Sequence, residues 1–445
     1  MFCVKRSFQV CIIIIVFGIG KAFPQEEIHT SSLSHIQIPS KISLEDAKLI
    51  AFQNNWDFLA AKSDVDQALA QKIISQQLPN PTLSFFAQKL LDRPYSASAN
   101  DGGFLGKDYH TIVNLNQLFE IAGNRSNRQK SAMSGLEAAK ARLEDSRRIL
   151  NVGVTKAYCD ALFAQDKLKI LQNSTKLLKE EATLAQLRFK SGDISEAEKN
   201  QIEMSAQRFE LDTKNAQANE KNLKSSLQMI LGDSKPDGNI QLTDAFETLW
   251  KTHELRNFED SHTSSRPDLL AAQADVEKAK AELRLQKAMR VPDPTFNLQY
   301  EHNPPDQPNA FGGGISFPFP LLNQNRGGIQ SAQANEWQAR INLEKLKAQI
   351  TSEVETAKTN YSEAASRFKH YTNDIKPKSA KVLDSFAFAY KKGNVSLIDY
   401  LVIQREDNEI KIASAQAAAD AITASANLST VLNLNNDSYE KHGIQ

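Results

Sequence analysis

The residues that could do chemistry in this 445-residue chain are few and scattered. Among eight histidines, His253 and His262 lie nine positions apart in a polar stretch, a spacing that matches no common zinc motif. The five methionines form no thioether cluster for copper or silver. The sequence contains no H-E-x-x-H, P-loop, G-x-S-x-G or CxxC motif. It therefore predicts neither an enzyme nor a resident cofactor or metal site.

Two carboxylates are notable because each follows the same short turn. The stretches "RFKSGDIS" and "AYKKGNVS" each carry an aromatic residue followed, three positions later, by a glycine, and the glycines are Gly192 and Gly393. Glu198 and Asp399 each lie six residues beyond their glycine. Six residues are about one and two-thirds helical turns, so the two carboxylates occupy the same place on equivalent helices. Crowded in an assembly, they would attract cations; alone, they are acids on a solvated helix face.

The turns belong to a tandem duplication of about two hundred residues. The segment "DFLAAKSDVDQA" at 57–68 agrees with "DLLAAQADVEKA" at 268–279 in seven of twelve positions. The P-x-P segments that begin at Leu78 and Val291 also align, with an offset of 213. Each copy therefore reads as one structural unit.

Within each copy the hydrophobic period changes from helix to strand and back. Residues 44–77 read as one helix, which Pro79 stops. Alternating apolar and polar residues then predict one hairpin per copy: 82–90 with 109–119, and 294–302 with 311–319.

Long helices follow the hairpins. The first runs from Arg125 to Lys190, and Pro377 should interrupt its equivalent in the second copy. An apolar seam with alternating spacings of three and four is typical of a coiled coil; its members are Leu168, Leu171, Thr175, Leu178, Ala182, Ala185 and Phe189. A second apolar row, Ile170, Leu177 and Leu184, predicts a neighbour on another side of this helix.

The charge balance, the N-terminal segment and the number of strands limit the class and the cellular location of the protein. Lys+Arg and Asp+Glu both number 53, so the chain lacks the basic excess of a nucleic-acid binder. Lys5 and Arg6 precede a short apolar run that ends in small residues near Ala22, which predicts a cleaved secretory signal. Four amphipathic strands cannot close a barrel, and open edges are not tolerated in lipid, so a membrane location requires several chains to pool strands. The open alternative is a pair of surface hairpins on a soluble coiled coil.

The chain resembles the TolC-like outer-membrane factors, the trimeric exit ducts of tripartite export systems. The resemblance lies in "LPNPTL", "QLFEIAGNRSNR", "RFKSGDISEAE", "VPDPTFNLQYE", "GGGISFPFPLLNQNRGGI" and "AYKKGNVSLIDYLVIQRE", in order along the whole mature chain. Within the family it is most similar to the CzcC-like branch of heavy-metal efflux. That branch usually has a basic residue where this chain has Asn124.

The resemblance implies a mostly α fold with a small β part. A long α-helical barrel would stand in the periplasm below a trimeric, twelve-stranded β-barrel in the outer membrane, with four strands per chain. The expected partners are two further copies, a periplasmic adaptor, an inner-membrane RND pump and outer-membrane lipid, without nucleic acid. The two turns would be the adaptor-docking tips, formed by Phe189, Gly192, Asp193, Tyr390, Gly393 and Asn394.

The resemblance also gives the carboxylates a role. TolC-like proteins carry an aspartate at the periplasmic constriction, at the position that matches Asp399, and commonly another three residues later. This chain has Val402 at that second position, where Glu198 could compensate.

The sequence predicts six segments. The segments are a signal peptide (1–22), an N-terminal linker (23–42), a first repeat (43–232), an equatorial linker (233–263), a second repeat (264–434) and a tail (435–445).

The main predicted function is the exit duct of an RND-type efflux system for heavy-metal cations. Two alternatives stay open: a type I secretion or drug-efflux channel, and a periplasmic coiled-coil adaptor without a pore.

Overall fold

The protein is mostly helical, with one small antiparallel sheet and one two-residue ladder. The structure is a computed structural model and describes residues 38–89, 105, 109–255, 260–303 and 307–434. The predicted class, mostly α with a small β part and a duplicated repeat, is confirmed.

Parts of the sequence-based prediction lie outside the described residues. These are the signal peptide (1–22), most of the N-terminal linker and the tail (435–445). Most of the loop that connects the strands of the first hairpin also lies outside them.

The two copies contain matching elements in the same order. The helices are α1 (Leu44–Asn54), α2 (Trp56–Gln76), α3 (Asn124–Lys190), α4 (Glu196–Ile230), α5 (Phe246–His253), α6 (Pro267–Ala288), α7 (Arg326–His370), α8 (Lys376–Lys391) and α9 (Leu397–Val431). The strands are β1 (Lys41–Ile42), β2 (Thr82–Lys89), β3 (Tyr109–Leu118), β4 (Gln241–Leu242), β5 (Thr295–Asn303) and β6 (Gln307–Ser316).

The single helix predicted over 44–77 is wrong, because the chain breaks at Asn55 into α1 and α2. Asn55 has an extended backbone, and its side-chain oxygen accepts a hydrogen bond from the Phe58 amide at 2.9 Å. Its side-chain nitrogen donates to the carbonyl oxygen of Ile230 at 2.9 Å. An asparagine that caps the next helix in this way competes with continuation of the preceding one.

The long helix predicted in the first copy is confirmed as α3, 67 residues without a break and about 100 Å long at 1.5 Å per residue. The coiled-coil seam faces α4: Leu168, Leu171 and Leu178 are buried, and the hydroxyl oxygens of Thr175 and Thr213 lie 2.7 Å apart. Among the described residues, no helix combines the length and the apolar character needed to cross a membrane.

The interruption predicted in the second copy is also confirmed. A π-helical turn (Tyr371–Ile375) separates α7 from α8, and Pro377 lies in the first turn of α8. Proline has no amide hydrogen to donate, and a π-helical turn, with its wider hydrogen-bond spacing, absorbs the irregularity. The copies therefore differ here, since the equivalent part of α3 is regular helix.

The two predicted hairpins join into one four-stranded antiparallel sheet, in the order β2-β3-β5-β6. Each observed strand starts and ends within one residue of its prediction except β6. The prediction placed β6 at 311–319, but it pairs from Gln307, opposite Asn303, and ends at Ser316. Pro318 limits its far end, since proline cannot donate to the ladder.

The sheet has one apolar and one polar face. Residues directly opposite one another share a face, and Leu83, Leu115 and Leu298 lie in one such row. Several large side chains on this face are more than half exposed, including Phe85 (58%) and Phe311 (84%). The other face carries a polar row, Ser84, Asn114, Asn116, Asn297, Gln299 and Glu301, of which Asn297 and Asn116 are hydrogen-bonded at 2.9 Å. This pattern is typical of a sheet that separates lipid from water.

The main hydrophobic core surrounds the middle of α3 and includes the predicted linkers. β1 pairs in parallel with β4, so the N-terminal segment is joined to the equatorial segment. The hydroxyl of buried Tyr158 donates to a carboxylate oxygen of Asp244 at 2.7 Å, and the same oxygen accepts the Leu44 amide at 2.7 Å. Hydrophobic periodicity carries no signal for this pairing, because two-residue strands are too short to show a pattern.

Contacts along α3 give the order of the helices. At its strand end α3 packs against α2 and α6, and farther along it packs against α4 and α9. Helix α7 then packs against α6 and α9, and α8 packs against α9. The helices thus lie side by side. The second apolar row of α3 predicts a further neighbour, but Leu177 and Leu184 of that row are 49% and 47% exposed in the described part of this chain.

Cys159 is fully buried in the main core, and burial raises the pKa of its thiol to about 12. Since the thiolate is the reactive form, we expect a maleimide at pH 7.5 to label Cys159 only after denaturation. A cysteine placed at exposed Ser191 serves as the reactive control, and it should label in the folded protein at least about a hundredfold faster. Equal labelling of both positions in the folded protein would contradict this burial.

Candidate functional site

The first predicted tip is a tight connection between α3 and α4. Gly192 follows the last turn of α3 with φ +79°, a left-handed conformation that favours glycine. The Gly192 amide donates to the Phe189 carbonyl at 3.0 Å, and the Asp193 amide donates to the Arg188 carbonyl at 2.9 Å. These two bonds satisfy free carbonyls at the end of the helix, in the arrangement known as a Schellman motif.

The second tip, between α8 and α9, has the same geometry. Gly393 has φ +77°, and its amide donates to the Tyr390 carbonyl at 2.9 Å. The Asn394 amide donates to the Ala389 carbonyl at 2.9 Å. The repeated sequence therefore encodes a repeated backbone conformation. We call the segments 189–195 and 390–396 the first and the second tip.

The aromatic residue of each tip packs against the residue ten positions later. The Lys199 ammonium lies 5.0 Å from the centre of the Phe189 ring. The Tyr390 and Tyr400 rings stack in parallel with centres 5.3 Å apart. Lys199 and Tyr400 were not predicted, although the offset of 201 that relates Phe189 to Tyr390 also relates these two residues.

Glu198 and Asp399 are both exposed and both cap the helix that follows their tip. The Glu198 amide bonds to the Ser195 hydroxyl, and a Glu198 carboxylate oxygen accepts the Ser195 amide at 2.9 Å. The Asp399 amide bonds to the Ser396 hydroxyl, which lies 2.7 Å from an Asp399 carboxylate oxygen. Helix capping is therefore a second reason for a carboxylate at these positions.

The two tips lie side by side. Residues of both line a cavity of about 200 Å³, among them Ile194, Glu198 and Tyr390. Burial and then the nearby carboxylate of Glu181 raise the pKa of Tyr390, while a hydrogen bond from Arg188 lowers it in part. Helix α3 of the first copy thus contacts the tip of the second copy through Arg188, and Glu181 of the same helix lines the cavity between them.

Next to the tips, a groove of about 600 Å³ lies between α4 and α9. Its lining includes Leu171 and Leu178 of α3, Arg208 of α4 and Arg405 of α9. Val402, three residues after Asp399, also lines this groove. The position is apolar here, so it adds no charge to the groove.

In the described part of the chain, no three His, Cys, Asp or Glu side chains are grouped so that they could hold a metal ion. One ring nitrogen of His253 lies 2.9 Å from the Leu249 carbonyl oxygen. Burial, followed by the charge of Lys48, lowers the pKa of His253. The side chain of His262 lies outside the described residues.

The sequence matches a family model described as outer membrane efflux protein, over residues 50–233 and 260–434. These two ranges correspond to the two copies of the repeat and together cover most of the chain.

Curated relatives are distant but extend over most of the chain. The cobalt-zinc-cadmium resistance protein CzcC of Cupriavidus metallidurans is 21% identical over 372 residues, which are 82% of this chain and 83% of the relative. The pyoverdine export outer membrane protein OpmQ of Pseudomonas aeruginosa is 22% identical over 393 residues, 85% of this chain and 82% of the relative.

The fold is similar to that of solved outer membrane proteins. The crystal structure of VceC from Vibrio cholerae superposes with a TM-score of 0.70 at 18% identity and covers 87% of this chain and 95% of that one.

Proposed function

Because this chain belongs to the outer membrane efflux protein family, we propose that it is the outer-membrane exit duct of a tripartite, RND-type efflux system. It works as a homotrimer, binds a periplasmic adaptor with its helical end and exports heavy-metal cations. The observation that carries the proposal is the four-stranded sheet, with one exposed apolar face and a polar face opposite.

The edges of the sheet support assembly from several copies. Within the described residues, β2 pairs only with β3, and β6 only with β5, so each outer strand has one open side. Open edges are not tolerated in lipid. Three copies supply twelve strands, enough to close a barrel around an aqueous lumen.

The helices support the same number of copies. In one chain, the second apolar row of α3 is largely uncovered, with Leu177 49% and Leu184 47% exposed. Apolar side chains at helical spacing require a packing partner, and a neighbouring copy supplies one. The sheet is the part that faces lipid, and the helical part stands in the periplasm, where the proposed adaptor binds it.

We propose that the two tips form the docking surface for the adaptor. Both tips project at the same end of the helices, and Phe189, Asp193 and Asn394 are exposed there. Gly192 and Gly393 have open space where a side chain would lie. A partner can therefore approach the backbone closely at two equivalent points per chain, six per trimer.

Heavy-metal cations are the proposed cargo because the relative CzcC is described as a cobalt-zinc-cadmium resistance protein. A duct needs no tight metal site, since it only has to let the cargo pass. The carboxylates of Glu198 and Asp399, near the tips, favour cations over anions at the periplasmic entrance.

Export of a small organic compound is the second candidate, and the relative OpmQ, described as a pyoverdine exporter, favours it. Growth of a deletion strain distinguishes the two. Sensitivity to cobalt, zinc or cadmium, restored by the gene, supports cation export. Unchanged metal tolerance combined with retention of an organic compound supports the second candidate.

The assembly is tested by fractionation and by mass. The mature chain should be found in the outer-membrane fraction, and light scattering in detergent should give about three copies per particle. A water-soluble monomer in the periplasmic fraction would instead support a coiled-coil adaptor without a pore.

Bulky substitutions at both tip glycines should lower efflux. At Gly192 and Gly393 the Cβ atom of a valine would meet no neighbouring atom, but the residue is strained at positive φ by about 1–2 kcal/mol per site. The control is Gly153→Ala, a helical position that also faces open space. We expect loss of metal tolerance and of adaptor crosslinking through a cysteine at Asn394 in the double valine variant only. Normal efflux in that variant would contradict docking at the tips.

A further inference from the structure

The sheet contains an internal example of how two copies of the repeat join. Strand β3 ends the first hairpin and β5 begins the second, and they pair with Asn116 opposite Asn297. Past the end of β3, the Phe119 amide donates to the Pro294 carbonyl at 2.9 Å. Since hydrogen bonding alternates along a strand, odd-numbered residues of β3 direct their backbone groups toward β5.

The duplication relates this junction to the open edges. Ser84 of β2 and Asn297 of β5 are equivalent, because they differ by the offset of 213 seen in the sequence. In the first hairpin Ser84 lies opposite Asn114, and in the second hairpin Asn297 lies opposite Gly314. Strand β3 therefore corresponds to β6 with an offset of 200. By this equivalence, the pairing of β6 with β2 of another copy would correspond to the pairing of β3 with β5 within the chain.

Applying both offsets to the internal junction, we propose that β6 of one copy pairs with β2 of the next in one defined register. Ser316 lies opposite Ser84, as Asn116 lies opposite Asn297, and Gly314 lies opposite Phe86. The partner is a second copy of this chain, and the proposal rests on the homotrimer proposed above. It adds the register, which the number of strands does not determine.

This register keeps the two faces of the sheet continuous across the junction. It places Ile315 opposite Phe85 on the apolar face and Ser316 opposite Ser84 on the polar face. A shift by one residue would turn apolar side chains of one copy toward the polar side of the other. Only shifts by two residues preserve the faces, so these are the alternatives to test.

The prolines after β6 fit the same arrangement. Phe319 corresponds to Phe119, so its amide faces the carbonyl of Pro81 in the next copy, which corresponds to Pro294. Pro318 and Pro320 alternate with Phe319, at positions whose amides would point away from that neighbour. Proline therefore does not interrupt the row of backbone amides that donate hydrogen bonds toward the next copy.

The glycines of β6 fit the one bulky residue on the polar face of β2. Phe86 is 53% exposed and lies between Ser84 and Gln88 on this face, opposite Ile112. Gly312 has no atom within 4 Å of the place of a side chain, and Gly314 has only the Asn297 side-chain oxygen at 3.8 Å. In the proposed register the Phe86 ring lies over these two glycines. An aromatic ring that covers glycine on a neighbouring strand stabilises a sheet at such positions.

Disulfide trapping tests the register. Ser84 and Ser316 form a pair without direct backbone hydrogen bonds, with Cα atoms expected about 4.5 Å apart, within the range of about 4.4–6.8 Å that a disulfide spans. Within one chain they lie on opposite edges of the sheet, about 14 Å apart, so an intramolecular bridge cannot form. Mild oxidation of the Ser84→Cys, Ser316→Cys variant in outer membranes should give a covalent trimer.

The matched controls shift the pair by two residues in either direction. They combine Ser316→Cys with Thr82→Cys or with Phe86→Cys, where Cα atoms are about 7–8 Å apart and a bridge is disfavoured. We expect at least about tenfold less covalent trimer from either control. Efficient crosslinking of a shifted pair, in a particle that still has the mass of three copies, would overturn the register and leave the proposed duct intact.

A second variant tests the contact itself. Gly314→Phe should reduce the heat-stable trimer on gels, and adding Phe86→Gly should restore it, because one ring then fills the same space from the other side. Equal trimer yields from the wild type, Gly314→Phe and the double variant would overturn the contact. A monomer in every variant and in the wild type would refute both the register and the proposed trimeric duct.

Discussion

Cation selectivity of the open channel should fall by about threefold or more when Glu198→Gln and Asp399→Asn are combined. In the proposed trimer the two substitutions remove six negative charges near the proposed periplasmic entrance. Charges of one sign that line a narrow entrance raise the local concentration of the opposite ion, and this effect disappears with the charge. The measurement is the reversal potential of single channels in a salt gradient, together with block by multivalent cations.

The amide substitutions were chosen because both carboxylates also cap helices. Glutamine and asparagine keep side-chain oxygens that can accept the same hydrogen bonds, so the caps are largely preserved. The matched control combines Ser195→Ala with Ser396→Ala, which weakens both caps by about 0.5–2 kcal/mol each and leaves the charges in place.

The two pairs of variants separate the two roles. A role at the entrance predicts altered selectivity and weaker block in the amide pair only. Unchanged selectivity and block in that pair would place Glu198 and Asp399 outside the conduction path and leave helix capping as their function.

Replacing Arg266 with alanine should lower the free energy of unfolding by about 3–5 kcal/mol. Arg266 is 2% exposed and donates to Asp268 at 2.6 Å and to Glu353 at 2.9 Å. It also donates to the Val431 carbonyl, at the end of α9, at 3.4 Å. Removal of one partner from a buried ion pair leaves the other charge poorly compensated, which costs more than the pair contributes.

The neighbouring groups give this prediction a pH dependence. Burial by itself would raise the pKa of Asp268, but Arg266 and Arg148 together hold it below its usual value. A lowered pKa in the folded state contributes stability that is present above the pKa of the unfolded chain and is lost as the pH falls through the folded-state pKa. The wild type should therefore lose stability in strong acid, and Arg266→Ala should lose less of it.

The control is Arg367→Ala on the surface. Arg367 is paired with Asp420 at 2.8 Å, but both side chains are more than a third exposed, and such pairs contribute about 0.2–1 kcal/mol. Urea unfolding followed by circular dichroism at 222 nm compares the two variants in detergent. A loss in Arg266→Ala no greater than in Arg367→Ala would contradict a structural role for the buried cluster.

Much of the fold could be predicted because the same sequence patterns for helices and strands occur in both copies of the repeat. The strands, the coiled-coil seam and the interruption near Pro377 are all explained by hydrophobic period and by proline chemistry. The break at Asn55 was missed, although an asparagine at a helix start is a local signal; its hydrogen bond to Ile230, which adds to the cap, is a tertiary contact that no local pattern encodes. The pairing of β3 with β5 also depends on long-range contact, between strands about 180 residues apart.

The two turns were predicted in position but not in their contacts, and their role as a docking site stays a prediction. The repeated glycines identified both tips, and their positive φ values agree with the expected turns. The capping by Ser195 and Ser396 could be predicted from the sequence, because a serine followed three residues later by an acidic residue is typical of a helix N-terminus. The hydrogen bond between Arg188 and Tyr390 joins different copies of the repeat, and no local pattern encodes it.

Single-channel recording of the purified mature protein in a planar lipid bilayer shows directly whether three copies form an aqueous duct. We expect discrete conductance steps from particles with the mass of three chains, with cations passing in preference to anions. Disulfides between Ser84→Cys and Ser316→Cys of neighbouring copies should leave those steps intact. A protein that has the mass of three chains, inserts into the bilayer and conducts no ions, or one that conducts as a monomer, would contradict the trimeric duct.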